Sequence, residues 1–189
     1  MLRIAPCRLH RPLRDSYRIG VGGDSAGGGL AAATALRARD HNGPQLAQQV
    51  LVYPGVERRT DRLSMREFGD SPLLSAEDID WLKGLYLGDD PSTDDSYAIP
   101  ALATDLRGLP PAIVVSAHAD PLRDGVEEYG RRLQGADVPT AILRYPGVAH
   151  GFFVQTASVT RASVAMVEVC GLIAARFAAS TQSNRIVGR

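Results

Sequence analysis

The residues with the means to do chemistry start at Ser25, set in Gly22-Gly23-Asp24-Ser25-Ala26-Gly27-Gly28-Gly29. Gly23, Ser25 and Gly27 fill the pattern G-x-S-x-G. A stretch of strand character, residues 17–22, comes before it, and a run of strong helix formers, residues 30–39, comes after. Strand, serine turn and helix in that order describe a nucleophile elbow, which holds its serine in a strained conformation at the top of a sheet. Small neighbours are expected, because the backbone approaches itself there. The helix points its positive end at the serine. The N–H of Ala26, one residue on, falls where a tetrahedral oxyanion would form.

A second reading competes for the same glycines. Gly20-Val21-Gly22 starts like G-x-G-x-x-G, with Ser25 at the sixth position and Ala26 one residue further on, a loose match that would make the turn a phosphate cradle. That reading calls for an acid at the end of the next strand. The next strand, residues 45–53, ends in Tyr53-Pro54-Gly55 and offers none.

A serine hydroxyl needs a base within reach, and the base needs an acid to fix its tautomer. Asp120 follows the most apolar run in the chain, Ala112-Ile113-Val114-Val115-Ser116, and His150 lies in the loop 146–153, flanked by Gly147 and Gly151. The order Ser, Asp, His, each after a strand, is the order that goes with a G-x-S-x-G elbow. His10, His41 and His118 are read as solvated side chains, His118 being close to Asp120. Among the other acids, Asp78 reads as a helix-start residue, Asp124 as a first-turn acid, and Asp24 as a structural partner of the elbow.

These residues have to be carried by a framework, and the pattern supplies one. After a lead-in over 1–16, the sequence predicts a strand at 17–22, a helix at 25–41 and a strand at 45–53. An exposed, charged excursion at 57–68 follows. Ser75-Ala76-Glu77-Asp78 approximates a capping box and opens a helix through Ile79, Leu82, Leu85 and Tyr86, ended at Gly88. Trp81, Leu85 and Tyr86 read either as an acyl-pocket wall or as an amphipathic face on the sheet. A long connection covers 94–111. A strand at 112–116, a helix at 122–135, a strand at 140–145 and an amphipathic helix at 158–179 complete the pattern, with a polar tail over 180–189. Alternating strands and helices imply an α/β fold with a mostly parallel sheet and flanking helices, its chemistry beyond the C-terminal strand ends.

Composition narrows the function classes. The 189 residues are 44% hydrophobic and 22% charged, with 21 basic and 21 acidic side chains. That balance gives no electrostatic case for nucleic acid. Cys7 and Cys170 are too few for a disulfide framework and have no partners at metal-ligand spacing, which fits a cytoplasmic chain. No apolar run is long enough to span a membrane, and the arginine-bearing start has no secretory h-region.

Taken together, the motifs resemble those of the hormone-sensitive-lipase-like esterases, a family of α/β-hydrolases. Gly23-Asp24-Ser25-Ala26-Gly27-Gly28 is similar to the family's nucleophile motif, Asp120-Pro121-Leu122-Arg123-Asp124-Gly125 to its acid motif, and His150-Gly151-Phe152 to its histidine motif. Leu109-Pro110-Pro111-Ala112 is similar as well, and the likeness runs from about Arg18 to about Ala179. The resemblance implies hydrolysis of small-molecule carboxylic esters through an acyl-enzyme, with Ser25, Asp120 and His150 as the triad and with no metal or cofactor. One departure stands out. The family's His-Gly-Gly-Gly motif, which supplies most of the oxyanion hole, is not found among the residues before Ser25. The chain is therefore expected to be a truncated α/β-hydrolase domain lacking the N-terminal strands, with Ala26 as the residual oxyanion donor. The strand at Tyr17 would then be an exposed edge, which invites pairing with a second copy. An inactive interaction module is the alternative expectation.

Overall fold

The computed structural model describes residues 19–88, 90 and 92–187, and side chains through residue 178. Four strands, β1 (Ile19–Asp24), β2 (Leu46–Val52), β3 (Ala112–Ala119) and β4 (Thr140–Ala149), form one sheet in the order β1-β2-β3-β4. Every adjacent pair is parallel. Parallel neighbours require crossovers, and helices supply them. These are α1 (Ala26–Asp40) between β1 and β2, and α4 (Arg123–Gly135) between β3 and β4. The segment from β2 to β3 carries the short α2 (Leu63–Phe68) and α3 (Ala76–Leu87), and α5 (Thr160–Val187) follows β4.

Side chains alternate across the sheet, so each face has its own core. Leu51, Ala112 and Val114 face Ala31, Ala35 and Leu36 of α1 and Val126, Tyr129 and Leu133 of α4. Val52, Ile113, Val115 and Ala117 face Ala162, Ala165 and Val169 of α5, with Phe152 and Phe153 closing the end. The expected amphipathic face of the last helix is present, since Met166 and Ile173 also pack against this second core, with Val159 just before the helix.

Four expectations need correcting. The excursion at 57–68 ends in a helix, α2, whose Ser64 is fully buried. Its Oγ donates to the Pro121 carbonyl at 2.8 Å, and its N–H donates to the Asp124 carboxylate at 2.8 Å. Strand β4 continues past Pro146 and Gly147 to Ala149 instead of stopping at residue 145. It is an edge strand of this sheet, where a proline can be accommodated. Helix α5 runs through the expected polar tail to Val187. Finally, α3 does not lie on the sheet. Its one buried residue, Ile79, packs with Met65 and Leu74, and Trp81 and Leu85 are each 64% exposed. Its start is as expected: Ser75 and Asp78 form a reciprocal capping box.

Among the described residues, β1 pairs on one side only, with β2. Tyr17, Cys7, His10 and the lead-in over 1–16 lie outside the described residues, and Cys170 is a free, exposed thiol. No helix among the described residues is long and apolar enough to cross a membrane.

Candidate active site

Ser25 sits between β1 and α1 with φ 53° and ψ −121°, in a region non-glycine residues avoid. Such strain persists only where surroundings over-determine it, and here the next strand does so. The Ser25 N–H donates to the Val52 carbonyl at 2.9 Å, and its carbonyl accepts from Gly29 and Gly55 N–H, each at 3.1 Å. The small-residue requirement is real but falls on a different set from the motif. A Cβ on Gly23 would come within 2.5 Å of the Gly27 backbone, one on Gly28 would come to 2.9 Å from Pro54, and one on Gly29 would collide with the Gly55 carbonyl. A Cβ on Gly27, a motif position, would meet nothing within 4 Å.

The other two predicted residues converge on this serine from the far strands. Asp120 follows β3 and is completely buried, and His150 follows β4 and is 7% exposed. His150 Nε2 lies 2.9 Å from Ser25 Oγ, and Nδ1 lies 2.8 Å from Asp120 Oδ2. The second carboxylate oxygen of Asp120 accepts from the Leu122 N–H at 2.9 Å. A buried carboxylate in that position binds an Nδ1–H, which leaves Nε2 free to accept from the serine hydroxyl. Gly151 follows with φ 79°, a left-handed turn that suits glycine and swings the chain away behind the histidine. Ala26 opens α1, so its N–H has no acceptor within its own helix.

The remaining histidines and acids stay apart from this relay. His41 caps α1 and its ring lies against Tyr97. His118 is exposed and meets Phe68 edge-on. Asp124 is the first-turn acid of α4 and Asp78 the capping acid of α3, as expected. Asp24 is exposed, and among the described residues its side chain holds no hydrogen bond, so the expected structural role at the elbow is not seen.

Several supporting residues carried no signal in the sequence. The Tyr53 ring is fully buried against the His150 imidazole, with centroids 4.6 Å apart. Its φ of 33° bends the chain at the end of β2, bringing Gly55 back to Ser25, so one turn touches both serine and histidine. Burial, with smaller pushes from Asp24 and Asp120, drives the Tyr53 hydroxyl upward from its ordinary value. Arg123, 7% exposed, donates to the His118 carbonyl at 3.0 Å, pairs with Asp124 and Glu67, and lies over the Phe68 ring. With Ser64 it braces the loop that carries Asp120. Behind β3, the buried Glu127 accepts from Ser116 Oγ at 2.8 Å and from the Arg144 guanidinium. Burial works to raise the Glu127 carboxyl, but those bonds more than offset it and hold it below the usual carboxylate range.

Ser25 and Ala26 open onto a cavity of about 210 Å³. Its wall includes Leu74, Ile79, Leu82, Tyr86 and Leu122. Of the three residues read as a pocket wall, Tyr86 takes that place and Trp81 and Leu85 do not. A cleft with an apolar wall and a few convergent polar groups is the usual form of a small-molecule site. The strand ends around the same turn hold Ser25, His150 and Asp120 in hydrogen-bond contact.

A strained serine at the top of a parallel sheet, joined to a histidine and a buried acid from later strands, is the arrangement of a hydrolase of the α/β class. Residues 10–154 match the α/β-hydrolase fold family, and the chain belongs to it. Its relatives include the carboxylic ester hydrolase LipN of Mycobacterium tuberculosis, 44% identical over 142 residues, covering 71% of this chain and 37% of the relative. The arylesterase of Saccharolobus solfataricus is 40% identical over 139 residues, 73% of this chain and 45% of that protein. Among solved structures, an α/β hydrolase from the metagenome of Lake Arreo superposes with a TM-score of 0.82 at 37% identity, over 87% of this chain and 52% of its own. A Rhizomucor miehei esterase reaches a TM-score of 0.85 at 29% identity, over 89% and 53%. The likeness to hormone-sensitive-lipase-like esterases read from the motifs therefore stands, and the chain spans about half the length, or less, of these relatives.

Proposed function

We propose that the chain hydrolyses small-molecule carboxylic esters through an acyl-enzyme. His150 Nε2 takes the hydroxyl proton as Ser25 Oγ attacks the ester carbonyl. The Ala26 N–H, at the positive end of α1, faces the developing oxyanion. As the C–O bond to the alcohol breaks, His150 returns the proton to the leaving oxygen. Water then attacks the acyl carbonyl with the same histidine as base, and the acid and Ser25 are released. Asp120 holds the imidazole tautomer and stabilises the imidazolium. The observation that carries this reading is the relay of 2.8 and 2.9 Å from Asp120 through His150 to a serine in a strained turn. The names of the relatives as esterases support the same chemistry. Turnover of p-nitrophenyl butyrate by the purified chain, lost on Ser25→Ala, is the expected outcome. Equal turnover by both proteins would refute it.

One observation favours a second reading, an assembly through β1. Among the described residues that strand exposes one edge of its backbone, and such edges pair readily. Light scattering at micromolar concentration distinguishes the cases: a monomer with ester turnover removes the assembly, and a dimer without turnover favours it.

A further inference from the structure

We infer that the cavity beside Ser25 contains an anion-recognising subsite at Lys83, selecting esters whose acyl group ends in a carboxylate, that is, monoesters of short dicarboxylic acids. This rests on the esterase reading and names its substrate class. The cavity wall is mainly apolar, but Glu57, Arg58 and Lys83 interrupt it. The acid among them is already neutralised. Both oxygens of Glu57 are taken by Arg62, at 2.8 and 2.7 Å.

The two cations are met by backbone carbonyls and by carboxylates that are exposed or, for Glu57, already paired with Arg62. Arg58 donates to the Thr93 carbonyl at 2.6 Å and reaches Asp94, 91% exposed, at 3.3 Å. Lys83 Nζ donates to the Arg58 carbonyl at 3.2 Å, and its nearest carboxylate, Asp80, is 4.0 Å away and 66% exposed. An ammonium has three donors, and among the described residues Lys83 uses one. Exposed counter-charges are screened by solvent, so the wall keeps a net positive face. The Lys83 side chain is 23% exposed, and its one hydrogen bond among the described residues goes to a backbone carbonyl. Burial lowers its pKa from the ordinary value, with only partial relief from Asp80 and Glu57. A substrate carboxylate would supply the missing partner, while its ester end meets Ser25 in the same cavity.

The test compares monoethyl succinate, glutarate and adipate with ethyl butyrate, following ethanol release by the wild type, Lys83→Met and Lys83→Arg. The readout is the ratio of kcat/KM for half-ester over neutral ester, in which a general loss of folding cancels. The best half-ester ratio in the wild type should exceed that of Lys83→Met about tenfold, the scale of one charge-assisted hydrogen bond. Lys83→Arg should keep the advantage, and salt should erode it. An identical ratio in wild type and Lys83→Met would overturn the inference. A second arm needs no turnover: in Ser25→Ala protein, monoethyl glutarate should bind about tenfold tighter than diethyl glutarate by calorimetry, and Lys83→Met should remove the difference. Equal binding overturns the subsite. Absence of all ester turnover alongside preferential half-ester binding overturns the esterase reading and leaves the subsite standing.

Discussion

The Ser25 elbow and the Asp120–His150 arm position their residues by opposite means. Ser25 is held by backbone strain, three backbone hydrogen bonds and the absence of side chains at Gly23, Gly28 and Gly29. Asp120 and His150 are held by side chains: a buried carboxylate, a tilted ring contact from Tyr53, and the Ser64 and Arg123 braces. The elbow should therefore fail when atoms are added, and the arm when polar atoms are taken away.

Asp120→Asn tests the arm most severely. The amide cannot accept and fix the Nδ1–H as the carboxylate does, so kcat for an ester substrate should fall by about 10⁴, with the fold retained by circular dichroism. Glu127→Ala reaches the same arm from behind β3. It leaves the buried Ser116 hydroxyl without its acceptor and the exposed Arg144 guanidinium without its partner, and urea unfolding should show a loss of about 2 kcal/mol. In the wild type, the depressed Glu127 carboxyl gives the sign of a pH effect. Its stabilisation is complete above the ordinary glutamate range and is lost as pH falls through the lowered folded value.

The elbow is broken in the other direction. Gly29→Ala drives a methyl group into the Gly55 carbonyl and should cost about 1–3 kcal/mol in a denaturant titration. Gly27→Ala adds the same methyl where nothing lies within 4 Å, inside a helix, so it should be neutral or stabilising by up to about 1 kcal/mol. Equal penalties at the two positions would break the contrast. The smallest effect is expected at the brace. Ser64→Ala removes the bond to the Pro121 carbonyl and should cost about 1 kcal/mol in thermal unfolding.

The two regions also differed in how much the sequence revealed. The convergence of Ser25, Asp120 and His150 was legible because each follows a stretch of strand character, and because the glycines beside Ser25 and His150 mark special turns. Helix α2 was hidden, since Leu63-Ser64-Met65-Arg66-Glu67-Phe68 shows no period and is held by contacts to the Asp120 loop, far away in sequence. Tyr53 gave no sign that it takes a positive φ before a proline or that its ring meets the histidine. Pro146 and Gly147 read as the end of β4, because pattern alone cannot say that the strand lies at a sheet edge where a proline is tolerated. Gly27 was read as sterically required because it fills the motif, yet the crowding falls on Gly28 and Gly29, which pack against the turn after β2.

The central claim is that the relay makes Ser25 nucleophilic in this chain. A fluorophosphonate probe reads that property without needing the natural ester, and peptide mapping by mass spectrometry locates the adduct. The account predicts one phosphonyl group on Ser25 of the wild type and none in Ser25→Ala. Labelling that persists in Ser25→Ala, or a folded wild type that takes up no label, would contradict it.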